Sequence, residues 1–201
     1  MSRSRIFLPD HSVHVIRRGN NRMDIFRDDA DRELFLGLLE AASRRRGVDV
    51  HAYVLMTTHY HLIVTPKSKE ALPWMMCDLG REYVLRHNRK HGRIGTLWTG
   101  RYRPILITDE RYWLTCLRYI EQNPVRARMV SAPGDYKWSS FWFHGLGEPH
   151  DWLTPHPVYL ALGATPEARQ AAYRALCGTA LNEAELVRQR HALVAHPKPD
   201  C

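Results

Sequence analysis

Residues 48–66 constrain the fold more than any other stretch, because two strand-like segments, VDVHAYVLM and HYHLIVTP, are separated only by Thr57-Thr58. Both are rich in β-branched and aromatic residues, and Pro66 stops the second. Strands joined by two residues pair antiparallel, so the chain is committed to an antiparallel sheet. The flanking segments supply the rest. SVHVIRRGNN alternates through Val13, Val15 and Arg17 and ends at Gly19-Asn20-Asn21, which predicts a first strand. Asp28 or Asp29 caps a helix whose apolar stripe is Leu34, Leu38 and Ala41 or Ala42, ending at Gly47. A second helix is expected from about Glu70 to Arg89, then the basic loop RKHGRIGTLWTGRYR and a fourth strand, PILIT. Strand, helix, strand, strand, helix, strand is the order of an α+β, ferredoxin-like sandwich with helices on one sheet face.

A third helix starts near Asp109, carries Tyr119 and breaks near Asn123-Pro124, since proline disfavours helical geometry at the residue before it. Beyond it, YKWSSFWFHGLGEPHDWLTPHPVYLALG is irregular and aromatic, and Trp138, Phe141, Trp142 and Phe143 are expected to pack rather than to stack on a ligand. Thr165-Pro166-Glu167 marks a helix running to about Leu176, and another is expected from Glu183 to His191. The terminal AHPKPDC is expected to be mobile. The chain divides into a main domain, 1–145, and an aromatic and helical extension, 146–201.

Lys and Arg outnumber Asp and Glu by 29 to 21, a net charge of +8. Much of the excess is arginine, whose planar fork suits phosphate, and such a balance favours a polyanionic partner. No apolar run approaches the roughly 20 residues of a spanning helix, and MSRSRIFLPDHSVHVIRRG lacks the pattern of a signal peptide. A cytoplasmic location without membrane association is expected. Cys77, Cys116, Cys177 and Cys201 lack CxxC spacing and read as reduced thiols.

His59 and His61 are two apart on a strand and therefore share a face. Tyr119 and Asn123 are four apart on a helix and share a face as well. Two imidazoles, an amide and a phenol can thus converge on one metal-centred site, and a hydroxyl beside a divalent metal suits phosphoryl transfer. Each element alone is ambiguous: His-x-His on a strand is ordinarily a half-exposed pair, and a helical tyrosine is ordinarily a packed aromatic.

Together, RGNNRMDIF, HYH, GTLWTGRYRPILI, RYIEQNPVRARMV and YKWSSF resemble, in that order, the single-tyrosine HUH transposases, IS200-like, and specifically the REP-associated tyrosine transposases. The resemblance runs from about Val13 to Phe141 and implies residue roles. His59 and His61 match the metal ligands, Tyr119 the nucleophile, and Asn123 the polar residue completing the coordination of Mg²⁺ or Mn²⁺. The implied reaction is attack of Tyr119 on single-stranded DNA beside a palindromic hairpin, giving a 5′-phosphotyrosine and a free 3′-hydroxyl, which fits the lack of a Walker sequence. Family members often carry Pro-Asn where this chain has Thr57-Thr58, and an aliphatic residue where it has Tyr60, which makes Tyr60 a second candidate nucleophile. Arg17, Arg18, Asn21, Arg81, Arg86, Arg89, Lys90, Arg93, Trp98, Arg101 and Arg103 are expected to contact DNA, cations on phosphates and rings such as Tyr83, Trp98 and Tyr102 on unpaired bases. The working state is expected to be a monomer or homodimer. The alternative function is a transposase-derived protein that binds hairpins without cutting. An RRM-like RNA binder would need aromatic signatures that the chain lacks.

Overall fold

A computed structural model describes residues 9–194. The strands are β1 (Val13–Arg18), β2 (Val48–Met56), β3 (His59–Pro66) and β4 (Arg103–Leu106), in one antiparallel sheet of order β2-β3-β1-β4. That is the ferredoxin-like arrangement the element order predicts. Helices α1 (Asp29–Arg46) and α2 (Ala71–Lys90) cover one face. Asp28 is the α1 cap, accepting from the Asp31 amide at 2.9 Å, and Gly47 ends the helix in the left-handed region at φ 66°. The stripe that α1 buries is Phe35, Leu39 and Ala42, one position on from the expected Leu34 and Leu38, which flank the core half-buried.

The opposite face is also covered. Helix α3 (Glu110–Glu121), capped by Asp109 through the Tyr112 amide at 2.7 Å, lies there with the short α4 (Asn123–Arg126) after a break at Gln122. A π-helical turn (Trp142–Leu146), α5 (Pro157–Leu160) and α6 (Pro166–Gly178) complete this layer, with α7 (Glu183–Val194) beyond. Phe141, Val158, Tyr159, Tyr173 and Cys177 share its core with Trp113, Leu117 and Ile120 of α3. Trp138 and Phe143 pack half-buried, whereas Trp142 is 38% exposed.

Strand β2 feeds both cores, and a β-bulge between Val50 and Ala52 swaps which of its positions face which core. Alternation would send 48, 50, 52, 54 and 56 to one face. Instead Val48 and Val50 join Tyr53 and Leu55 in the α1/α2 core, while Ala52, Val54 and Met56 join the α3 core. Among the described residues Cys77, Cys116 and Cys177 are free thiols, and no helix is long and apolar enough to cross a membrane. The terminal AHPKPDC, Cys201 included, lies outside the described residues.

Candidate active site

On the α3 side of the sheet, β3 presents His59 and His61 and β1 presents His14, because β1 pairs with β3 in the register Ile16↔His61 and Arg18↔His59. The imidazoles of His59 and His61 sit 5.1 Å apart, and the Tyr119 ring stands edge-on to His61 at 6.0 Å between centroids. Strand pair and helix thus bring three of the four expected site residues together. Asn123 follows one turn beyond Tyr119, and its Nδ2 donates to the Tyr119 carbonyl at 3.3 Å.

Two residues that the sequence reading missed complete this arrangement. His14 Nε2 lies 2.9 Å from His61 Nδ1, with His14 fully buried. A His61 that offers its Nε2 lone pair carries its proton on Nδ1 and donates it to His14, so His14 sets the orientation of that imidazole. Arg126 lies with its guanidinium 4.1 Å from the centre of the Tyr119 ring and donates to the Tyr119 carbonyl at 2.7 Å. Arg126 was findable, being seven residues, about two helical turns, after Tyr119. His14 was not, because its neighbour depends on a strand register that local sequence does not state.

The donor set suits a divalent ion. Burial, then the charge of Arg18, pulls His59 down to about 4, and burial with the neighbouring His14 and His59 holds His61 well below the usual histidine range. Both imidazoles are therefore neutral near pH 7, with lone pairs available. His59 Nδ1 pairs with Thr58 Oγ1 at 3.2 Å and His61 Nδ1 with His14, which leaves Nε2 on each ring. Asn123 uses its Nδ2 and keeps Oδ1. Two neutral nitrogens and an amide oxygen fit Mg²⁺ or Mn²⁺ with positions left open.

Tyr60 points the other way. It belongs to the α1/α2 core, is 0% exposed, and burial pushes its phenol up to about 12. Strand alternation therefore separates it from the two histidines it lies between.

The expected nucleic-acid contacts fall into several settings. Arg17 and Arg18 leave the end of β1 on opposite faces, Arg18 towards His59 and Arg17 into a groove of about 840 Å³ lined also by Arg81, Arg89, Arg93, Ile94 and Trp98. Gly80 lets Arg17 cross α2, since a side chain there would collide with the guanidinium. Trp98 is 6% exposed and lies under Arg17 at 4.5 Å, and Tyr83 is 0% exposed, so both rings are used in packing. Lys90 is held by Asp28 and Asp31 at 2.6 and 2.8 Å, and Arg86 faces Glu82 at 3.8 Å. Asn21, Arg101 and Arg103 are exposed. The loops bearing Asn21 and Trp98 are stitched to the histidine hairpin: the Gly19 and Ile25 amides donate to the Thr58 and Thr57 carbonyls at 2.8 and 2.9 Å, and the Asn20 amide donates to the Leu97 carbonyl at 2.9 Å.

Comparisons with known proteins bear on the fold and the family. A solved REP-associated tyrosine transposase bound to a REP hairpin is 18% identical, covers 79% of this chain and 93% of its own, and superposes with a TM-score of 0.58. A protein provisionally named a transposase, from Deinococcus radiodurans R1, is 16% identical over 64% of this chain and 92% of its own, with a TM-score of 0.41. The latter likeness adds nothing to the fold assignment. No curated protein matches the chain. The sequence model described as "Transposase IS200 like" matches residues 8–123, from before β1 through Asn123, and on that match the chain belongs to the IS200-like transposase family.

Proposed function

We propose that this chain cleaves and rejoins single-stranded DNA beside hairpin-forming palindromes, with Tyr119 as nucleophile and His59, His61 and Asn123 holding Mg²⁺ or Mn²⁺. The observation that carries the reading is the Tyr119 ring against His61, on the same sheet face as His59 and under the guanidinium of Arg126. Tyr119 Oη forms a bond to phosphorus as the bond from phosphorus to the 3′ oxygen breaks. The phenolic proton leaves to water, and the departing 3′ oxygen takes one up. A 5′-phosphotyrosine and a free 3′-hydroxyl result, and attack by a 3′-hydroxyl reverses the step and reseals a strand. When bound, the ion polarises a non-bridging phosphate oxygen and offsets the charge gathering there. Arg126 fixes the Tyr119 ring and adds positive charge beside it.

The hairpin reading rests on the likeness to a REP-associated tyrosine transposase bound to a REP hairpin, and the basic surface supports a phosphate-bearing partner. Arg17 and Arg18 turn one guanidinium to the groove and the other towards His59, so a strand crossing the end of β1 meets both. Residues 1–145 are proposed as the catalytic domain and 146–201 as its brace. The Tyr119 ring stands beside His61 of its own chain, an arrangement open to a working monomer and to a homodimer alike.

The test is an adduct assay on hairpin DNA. Tyr119→Phe is expected to keep hairpin binding and lose both cleavage and the covalent protein–DNA species, while Tyr60→Phe keeps all three. EDTA is expected to suppress cleavage far more than binding. A full adduct yield from Tyr119→Phe would remove Tyr119 as nucleophile, and cleavage by metal-free protein in EDTA would remove the metal.

A further inference from the structure

On the other side of the sheet, α1 and α2 bring together a second set of metal-binding side chains. Asp31, His87 and His91 each offer a ligand atom, and these atoms lie within 4.8 Å of one another. His91 Nε2 is 2.9 Å from Asp31 Oδ2, and His87 Nε2 is 4.0 Å from that same oxygen. His87, in the last turn of α2, and His91, its C-cap, are four apart, the spacing at which two imidazoles can hold one ion. A tetrahedral ion with bonds of about 2.1 Å spaces its donors by roughly 3.4 Å, which these separations bracket.

The independent observation is His87 itself. It is 0% exposed, and neither ring nitrogen has a hydrogen-bond partner. A buried imidazole with both nitrogens unsatisfied is costly and calls for an explanation. We propose that Asp31, His87 and His91 form a second metal site, suited to a borderline transition ion such as Zn²⁺, which ties the start of α1 to the end of α2.

The surrounding charges accommodate it. Burial, opposed by Asp31, lowers His87 to about 4, which leaves its lone pair free. Burial alone would raise Asp31, but hydrogen bonds from Lys90 and the Arg27 amide bring it to about 2. Lys90 is the competing cation on Asp31, at 2.8 Å, but it also grips both oxygens of Asp28, at 2.6 and 2.8 Å. It can stay there while the ion takes Asp31 Oδ2. Two imidazoles and one carboxylate favour Zn²⁺ over Mg²⁺, and His91, at the rim, leaves room for water as a fourth ligand. The service is structural, because the loop that follows carries Arg93, Ile94 and Trp98 of the groove.

The test uses the full chain carrying His59→Ala and His61→Ala, so that it stands apart from the proposed cleavage site. Titration with Zn²⁺, and with Co²⁺ as a spectroscopic stand-in, should show about one bound equivalent with tetrahedral visible bands. The melting temperature should climb with free Zn²⁺ as mass action requires. Loss of an outer-shell partner already costs about 10–100-fold in metal affinity, so removal of a ligand by His91→Gln should cost at least about 100-fold. His87→Phe, which keeps the ring volume, should do the same. A melting temperature indifferent to Zn²⁺, or equal stabilisation of the His91→Gln protein, would overturn the site and leave an ion-pair cluster of Asp31, Lys90 and His91.

Discussion

A metal-ligating imidazole takes its orientation from whatever its other nitrogen holds, and for His61, proposed above as a ligand, that partner is His14 at 2.9 Å. Replacing His14 by Ala should raise the Mn²⁺ concentration for half-maximal cleavage by about 10–100-fold. Saturating Mn²⁺ should restore most of the rate, because the ligands themselves remain. A fall in maximal rate with no change in metal dependence would show that His14 serves packing alone. Residue chemistry of this kind was only half readable from the sequence. Spacing puts His59 with His61 and Tyr119 with Asn123 on shared faces, and the resemblance of the flanking blocks supplies their expected roles. His14 looks like one more residue of an alternating strand until β1 is set beside β3, and Trp98 looks like a stacking platform until its burial under Arg17 is seen.

A buried carboxylate ties the end of helix α3 to the π-helical turn and α6 that pack beside it. Glu121, two residues past Tyr119 and 0% exposed, accepts from Ser140 Oγ at 2.5 Å, His144 Nδ1 at 2.8 Å and Tyr173 Oη at 2.6 Å. A buried carboxylate is tolerated only with such partners. Tyr173→Phe leaves one Glu121 oxygen without its donor and should cost about 1–3 kcal/mol in urea unfolding. Adding Glu121→Gln should give a non-additive double-mutant cycle, and strict additivity would show that the two are uncoupled. The helix starts were readable, since Asp28, Asp109 and Thr165 each accept from an amide three residues on. The bulge in β2 was not: nothing in VDVHAYVLM marks His51 as the extra residue, because both sheet faces are apolar and neither register exposes an error.

Across the whole molecule, the net charge of +8 is useful only where cations are not already spent. Lys90 is committed to Asp28 and Asp31, whereas Arg81 and Arg89 line the groove from exposed positions. Replacing Arg81 and Arg89 together by Ala should flatten the log–log salt dependence of hairpin binding by roughly 0.7–0.9 for each phosphate no longer neutralised, with metal affinity unchanged. An identical slope would take the groove out of the binding surface. At this scale the strand order followed from the run of elements, because short connections leave few ways to pair four strands. Covering the second face did not, since it joins Trp113 and Ile120 to Tyr159 and Tyr173 across long sequence separations. Those separations also bear on the order of synthesis. Tyr173 lies 52 residues downstream of Glu121, so on a ribosome both histidines and Tyr119 emerge well before the last donor that seats helix α3. A chain that stops short of Tyr173 therefore carries His59, His61 and Tyr119 while one oxygen of Glu121 still lacks its donor.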